Sequence, residues 1–378
     1  MIKRSLETLI DKWLFKGQTI LIYGARQVGK TTLSKNVLEK YSSIKRTRYF
    51  DCEELSVKLN FETTDAKALQ KAIGDKELIV LDEAQTVKDI GKTLKIIHDH
   101  IPHVQVIATG SSSFDLANKL SEPLTGRALS FTLYPFSVEE ISREKGYAEA
   151  SSSLEKIMLW GAYPAVFDMP ADLAQTTLNS LAVNYLYKDI LMYDSINNPH
   201  QLLELLQLLA LQVGNEVSYT EIGQKLGLNR LTVRKYIDLL EKSFVIFKLH
   251  ALSRNKRNEI AKSVKIYFYD LGIRNALIQS FSPLNLRNDS GALWENFCIT
   301  ERRKRNQSAG KFVNQYFYRT YSGEEVDYVE EYDGRFDGYE FKFNRQTSKP
   351  AKNFLSSYSN ASVNIINKDN WSDFLITQ

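Results

Sequence analysis

The stretch GARQVGKT at 24–31 constrains this chain more than any other. It follows the apolar run TILIYG (19–24) and opens a helical pattern, so the spacing G-x-x-x-x-G-K-[ST] stands in the strand–loop–helix frame that a phosphate-binding loop requires. Glycines let the backbone curl so that successive N–H groups point at one phosphate cluster, and the helix N-terminus adds its positive end. Lys30 brings a charge to the β- and γ-phosphates, and Thr31 a hydroxyl to Mg²⁺. Gly24, Arg26, Gln27, Val28, Gly29, Lys30, Thr31 and Thr32 are therefore the candidate contacts for ATP.

Between residues 17 and about 137, apolar runs alternate with helical patterns, which predicts a parallel sheet wrapped by helices. The candidate strands are 19–24, 47–52, 78–83 and 104–110. In LIVLDEAQ (78–85) four apolar residues bury a strand and Asp82 emerges at its carboxyl end, where it can hold Mg²⁺ through water. Glu83 can polarise the attacking water. A polar residue on a neighbouring strand should sense the γ-phosphate; VIATGSSS offers Thr109, Ser111 and Ser112, and Ser111 is the favoured one. Arg127, in LTGR, is a candidate for stabilising transferred charge, in cis or from a neighbouring subunit, with an unpaired surface arginine as the alternative. His98 and His100 in HDHIPH point apart on a helix and mark a helix end rather than a metal site.

No run of about 18 apolar residues is present, so no membrane span is expected. The first residues, MIKRSLETLIDKWLF, read as an amphipathic helix and not as a signal peptide, which points to the cytoplasm. Cys52 and Cys298 lie far apart and suggest neither a disulfide framework nor a zinc site.

The net charge of +4 is unevenly spread: residues 230–274 hold 11 Lys/Arg against 4 Asp/Glu. A basic segment in a nearly neutral chain fits a polyanion partner, although a solvated lysine-rich surface would look the same. The segment follows VSYTEIGQKLGLNRLTVRKYIDLLEK (217–242), which reads as two helices around a Gly227-Leu228-Asn229 turn. Val233, Tyr236, Ile237 and Leu240 form one apolar face, leaving Arg230, Thr232, Arg234 and Lys235 outside. Two strand-like runs follow, separated by SRNKRNEIAK. Helices followed by a hairpin describe a winged helix, with Arg254, Lys256 and Arg257 in its loop able to touch DNA phosphates. Winged helices also dock proteins.

Near the C-terminus, GEEVDYVEEYDGRFDGYEFKF (323–343) places Asp333-Gly334 between two alternating runs, the signal for a two-residue hairpin. Partners then sum to 667: Asp327 faces Glu340, and Glu325 faces Lys342. Two carboxylates opposite one another destabilise a sheet unless a divalent cation joins them. Asp327 and Glu340 could ligate Mg²⁺, Lys342 could orient an attacking water, and Glu295, in ALWENF, could be a further ligand. The alternative is a Glu325–Lys342 ion pair on a solvated face.

Taken in order, GARQVGKTTL, LIVLDEAQ, ATGSSS, LTGR with LYPFSVEE, GAYP, YLYKDI, the helix-turn-helix run, KIYFYDLGIRNAL, GALWENF, and GEEVDY with YEFK resemble the prokaryotic AAA-type P-loop ATPases that carry a winged helix and a restriction-endonuclease-like C-terminal domain. The resemblance spans almost the whole chain. It implies an α/β P-loop NTPase (AAA-like) parallel sheet, then a helical segment, a winged helix and an α+β restriction-endonuclease-like domain, with ATP and Mg²⁺ as cofactors. It also implies an acidic residue followed by Glu-x-Lys, which fall on Asp327, Glu340 and Lys342, with Glu295 as the helix carboxylate. The expected divisions are 1–150, 151–214, 215–280 and 281–378. Two functions follow as expectations: an ATP-hydrolysing, DNA-binding protein with a metal-dependent nuclease-type domain, or an ATP-driven regulatory switch whose C-terminal domain only docks a protein partner. Assembly into an oligomer is compatible with both.

Overall fold

A computed structural model describes residues 2–110, 124–185, 198–253, 263–343 and 351–376. These divide into two compact units, Met1–Tyr134 with Lys242–Phe244, and Pro135–Glu241 with Val245–Gln378.

The first unit is built on a five-stranded sheet: β1 (Thr19–Tyr23), β2 (Thr47–Asp51), β3 (Leu78–Asp82), β4 (Gln105–Gly110) and β5 (Ala128–Thr132), in the order β2-β3-β4-β1-β5. Every neighbouring pair is parallel. β1, β3 and β4 are buried along their whole length, as their unbroken apolar runs require of strands covered on both faces. β2 and β5 are edges and are only partly buried. The sequence pattern did not reveal β5, because ALSFT is a half-exposed edge strand and not an apolar run. The helix Lys30–Tyr41 leaves the phosphate loop and buries Leu33, Val37 and Leu38. The helix Ile90–His100 ends at the histidines, as expected.

In the second unit, six strands form one sheet in the order β11-β10-β9-β8-β6-β7: β6 (Ile246–Ala251), β7 (Val264–Phe268), β8 (Asn314–Arg319), β9 (Glu325–Tyr332), β10 (Arg335–Phe341) and β11 (Ala361–Ile366). The helices Tyr219–Leu226 and Arg230–Lys242 flank the anticipated turn. Gly227 at φ 65° ends the first helix, and the Asn229 side chain accepts from the Thr232 amide at 2.8 Å to start the second. The antiparallel β6–β7 hairpin follows. It is not a free wing: β6 also pairs in parallel with β8, at His250–Tyr316 and Ala251–Phe317, so the hairpin forms one edge of the C-terminal sheet. The small, polar stretch 146–156 lies largely within the helices Tyr147–Ser152 and Leu154–Trp160.

Buried polar contacts explain the runs between these elements. Asp270 accepts from the amides of Ile273, at 3.2 Å, and Ala162, at 2.8 Å, so it caps its own helix and pins the GAYP turn. Gly161, at φ 73°, sits where a Cβ would collide with the Asp270 carboxylate. On the long helix Ser290–Ser308, Glu301 accepts from the Val138 amide at 2.6 Å and Lys304 donates to the Phe136 carbonyl at 2.9 Å, which fixes the segment containing PFSVEE. Among the described residues no helix is long and apolar enough to cross a membrane.

Candidate nucleotide site and C-terminal carboxylate cluster

In a parallel sheet, ligands bind beyond the carboxyl ends of the strands, and the sequence places its phosphate loop there, after β1. Gly24 lies against Leu133, whose carbonyl oxygen a Cβ at position 24 would strike. Gly29, at φ 96°, is the residue before the helix Lys30–Tyr41. Val28 is fully buried and anchors the loop. Arg4 braces it from the N-terminal segment, donating to the Val28 carbonyl at 2.8 Å and to the Tyr134 carbonyl. Lys30 is buried, and its ammonium donates to the carbonyls of Gly24, at 3.0 Å, and Ala25, at 2.8 Å. Thr32 is exposed, while Arg26 and Gln27 stand at the loop's outer turn.

Because β4 lies between β1 and β3, the end of β4 faces both the phosphate loop's strand and Asp82. Asp82 accepts three hydroxyls: Thr31 on Oδ2 at 2.6 Å, Tyr49 on the same oxygen, and Thr109 on Oδ1. Burial pushes the Tyr49 phenol well above its ordinary range, and the bond to Asp82 adds to the shift. Thr109 also accepts from the Glu83 amide at 3.2 Å. Glu83 holds the left-handed conformation at φ 49°, and Gln85 donates to its carboxylate. A non-glycine residue with that φ is uncommon, and such strain gathers at functional sites. The hydroxyl of Thr31 and the carboxylate of Asp82 form the hard-oxygen pair that suits Mg²⁺, and Lys30 stands among the loop carbonyls, so these residues fit Mg²⁺–ATP.

One expectation about this site is left open and another needs revision. Ser111 lies outside the described residues, and the polar residue seen against Asp82 and Glu83 is Thr109. Arg127 precedes β5, where its carbonyl accepts from Thr19 at the amino end of β1. The length of β1, about 16 Å at the usual strand rise, separates it from Gly24. Its guanidinium is held there by Asp99, with Nε 2.8 Å from Oδ1. That bond, with a smaller contribution from His98, holds the Asp99 carboxyl down at about 2. Arg127 therefore cannot reach the phosphate loop of its own chain. Cys52 is buried beside this site, and burial pushes its thiol up to about 12, which leaves it unreactive.

At the C-terminal sheet the hairpin register is the one expected: Arg335 pairs with Tyr332 and Tyr339 with Tyr328, each pair summing to 667. Asp327 and Glu340 come next along the two strands, and Asp327 accepts from the Phe341 amide at 2.8 Å. The charges around them differ from expectation. Glu325 does not take Lys342; it pairs with Lys265 on β7, at 2.6 Å. Lys342 lies 3.4 Å from Glu340. Glu295, on the helix Ser290–Ser308, is bonded to Lys265 at 3.1 Å and to the Tyr267 hydroxyl. Burial pushes its carboxyl up to about 7, although Lys265 and Tyr267 both pull it down. Burial likewise raises Asp327. Among the described residues, no group of three or more His, Cys, Asp or Glu is arranged to hold a metal ion. Lys265 and Tyr267 escaped notice in the sequence because KIYFYD reads simply as a strand.

Of the basic residues on the second helix of the helix-turn-helix, Arg230, Arg234 and Lys235 are exposed, and Arg234 lies 3.9 Å from Asp238. Thr232 is committed to the Asn229 cap through both its amide and its hydroxyl. Arg254, Lys256 and Arg257 lie outside the described residues.

Residues 16–142 match an AAA domain. Residues 151–287 and 290–373 match two further models, each a domain of unknown function (DUF8612 and DUF4143). The first unit thus carries a P-loop, AAA-like α/β sheet. Uncharacterized proteins of Mycobacterium bovis and Mycobacterium tuberculosis are each 26% identical over 364 residues, covering 92% of this chain and 75% of theirs. An uncharacterized protein of Methanocaldococcus jannaschii is 28% identical over 72% of this chain and 65% of its own. Among solved structures, AMPPCP-bound DnaA from Aquifex aeolicus aligns at 14% identity and a TM-score of 0.27, over 63% of this chain and 86% of that one.

Proposed function

We propose that the protein hydrolyses ATP with Mg²⁺ at the loop 24–31 and binds DNA through its helix-turn-helix. The observation that carries the first half is the convergence of Thr31, Thr109 and Tyr49 on Asp82, with Glu83 held in a strained conformation beside them. In this reading the loop amides and Lys30 bind the phosphates, Thr31 and Asp82 hold Mg²⁺, Glu83 orients the attacking water, and Thr109 positions Asp82 and Glu83. Arg127 belongs to catalysis only if it serves a neighbouring subunit. The exposed face with Arg230, Arg234 and Lys235 supports the DNA half. Turnover of ATP by the purified chain, and its loss in Glu83→Gln with binding retained, tests the hydrolytic claim.

The C-terminal domain has two readings. Asp327, Glu340 and Lys342 keep the order acidic residue, then Glu-x-Lys, which supports a metal-dependent nuclease. The placement of Lys265 between Glu295 and Glu325 favours the second, a non-catalytic docking module in an ATP-driven switch. Plasmid cleavage with Mg²⁺ or Mn²⁺ that is lost in Lys342→Ala would decide for the first; its absence with every metal decides for the second.

A further inference from the structure

Glu295, one of the carboxylates expected to hold a metal in the C-terminal domain, already holds a cation. Lys265 is almost wholly buried, and its ammonium lies 3.1 Å from Glu295 and 2.6 Å from Glu325. These carboxylates come from a helix and from β9, so the lysine ties two elements together from β7. Tyr267, two residues on and fully buried, donates its hydroxyl to the same Glu295 oxygen. Asp327 is satisfied separately by the Phe341 amide. Burying an ammonium is costly unless opposite charge surrounds it. Here Glu295 and Glu325 set that opposite charge directly against the ammonium. A divalent ion at Glu295 would have to displace this ammonium and leave it buried beside another cation.

We infer that Lys265 is the resident cation of the C-terminal carboxylate cluster, so that the cluster is closed by an internal ion pair and takes no divalent metal. Glu295 is a carboxylate that a metal site would use, and here a side chain neutralises it together with Glu325. This conclusion does not depend on the ATPase reading, and its test removes that site's metal.

The test uses the full chain, free of nucleotide and carrying Asp82→Asn, titrated with Mn²⁺ alone while free Mn²⁺ is read by electron paramagnetic resonance. Adding Asp327→Asn or Glu295→Gln should leave the bound Mn²⁺ unchanged; loss of one equivalent in either variant would overturn the inference. A thermal cycle gives a second readout. Lys265→Met should lower Tm by leaving Glu295 and Glu325 uncompensated, and Glu295→Gln added to it should recover part of the loss. If Glu295→Gln lowers Tm in the Lys265→Met background by as much as it does alone, the ion pair is not what holds the cluster. The Mn²⁺ titration decides the matter even if Lys265→Met does not fold.

Discussion

Thr31, in the first turn of the helix after the phosphate loop, and Asp82, at the end of β3, are joined by a 2.6 Å hydrogen bond, and Thr109 reaches the other oxygen of the same carboxylate. The first contact unites the two residues that would share Mg²⁺. The second assigns a job to the strand inserted between them: β4 holds the acidic residue in the orientation that the metal needs. Thr109→Val removes the hydroxyl and keeps the shape. ATP turnover should fall by roughly 10²-fold, the usual effect of losing one positioned polar group at a reacting centre, with KM for ATP changed little. A fall confined to KM would mean that Thr109 serves nucleotide binding alone.

Arg127 stands at the far end of the sheet from Lys30, bonded to Asp99. Arg127→Ala should leave the turnover of dilute, monomeric protein within about twofold of the parent. If the arginine acts across an interface, the variant's defect must grow with protein concentration as copies associate. A large loss in isolated protomers would contradict the placement.

On the helix Arg230–Lys242, neutralising Arg230, Arg234 and Lys235 should weaken DNA binding for all sequences alike. Each cation removed from a phosphate should reduce the slope of log affinity against log salt by about one. Fluorescence anisotropy across a salt series measures both. An unchanged slope would move the DNA-binding surface elsewhere. Thr232→Val should act through folding instead, since its hydroxyl belongs to the Asn229 cap.

In the C-terminal core, Arg302 forms a two-point ion pair with Glu330, at 2.9 and 2.7 Å, and Asn306 and Tyr328 bond the same carboxylate. Glu330 has no exposed side-chain surface. Glu330→Gln would strand a buried guanidinium, and such breaks cost about 3–5 kcal/mol. Arg302→Met with Glu330→Leu should be milder than the sum of the single changes. Urea denaturation of the four proteins checks it, and strict additivity would contradict the coupling.

Much of this was legible in the sequence because it is local. A glycine loop between a strand and a helix, an acid at a strand's end, and Asp-Gly between alternating runs each fix structure within a few residues. The register that puts Asp327 next to Glu340 came from such arithmetic. What escaped depends on distant pairings that no periodicity encodes. Thr109 gains its contact from the strand order, Lys265 from β7 joining a sheet with β9, and Arg127 from which end of β5 it occupies. The hairpin beyond the helix-turn-helix was legible as a hairpin, but its fusion with β8 was not, because pairing across 66 residues leaves no local mark.

The central claim is that the loop 24–31 and Asp82–Glu83 make one ATP-hydrolysing site. Steady-state phosphate release from the purified chain with Mg²⁺–ATP, beside Lys30→Ala and Glu83→Gln, tests it most directly. The account predicts turnover in the parent, a loss of more than about 10²-fold in both variants, and ATP binding kept only in Glu83→Gln. Undiminished hydrolysis in Lys30→Ala would contradict it.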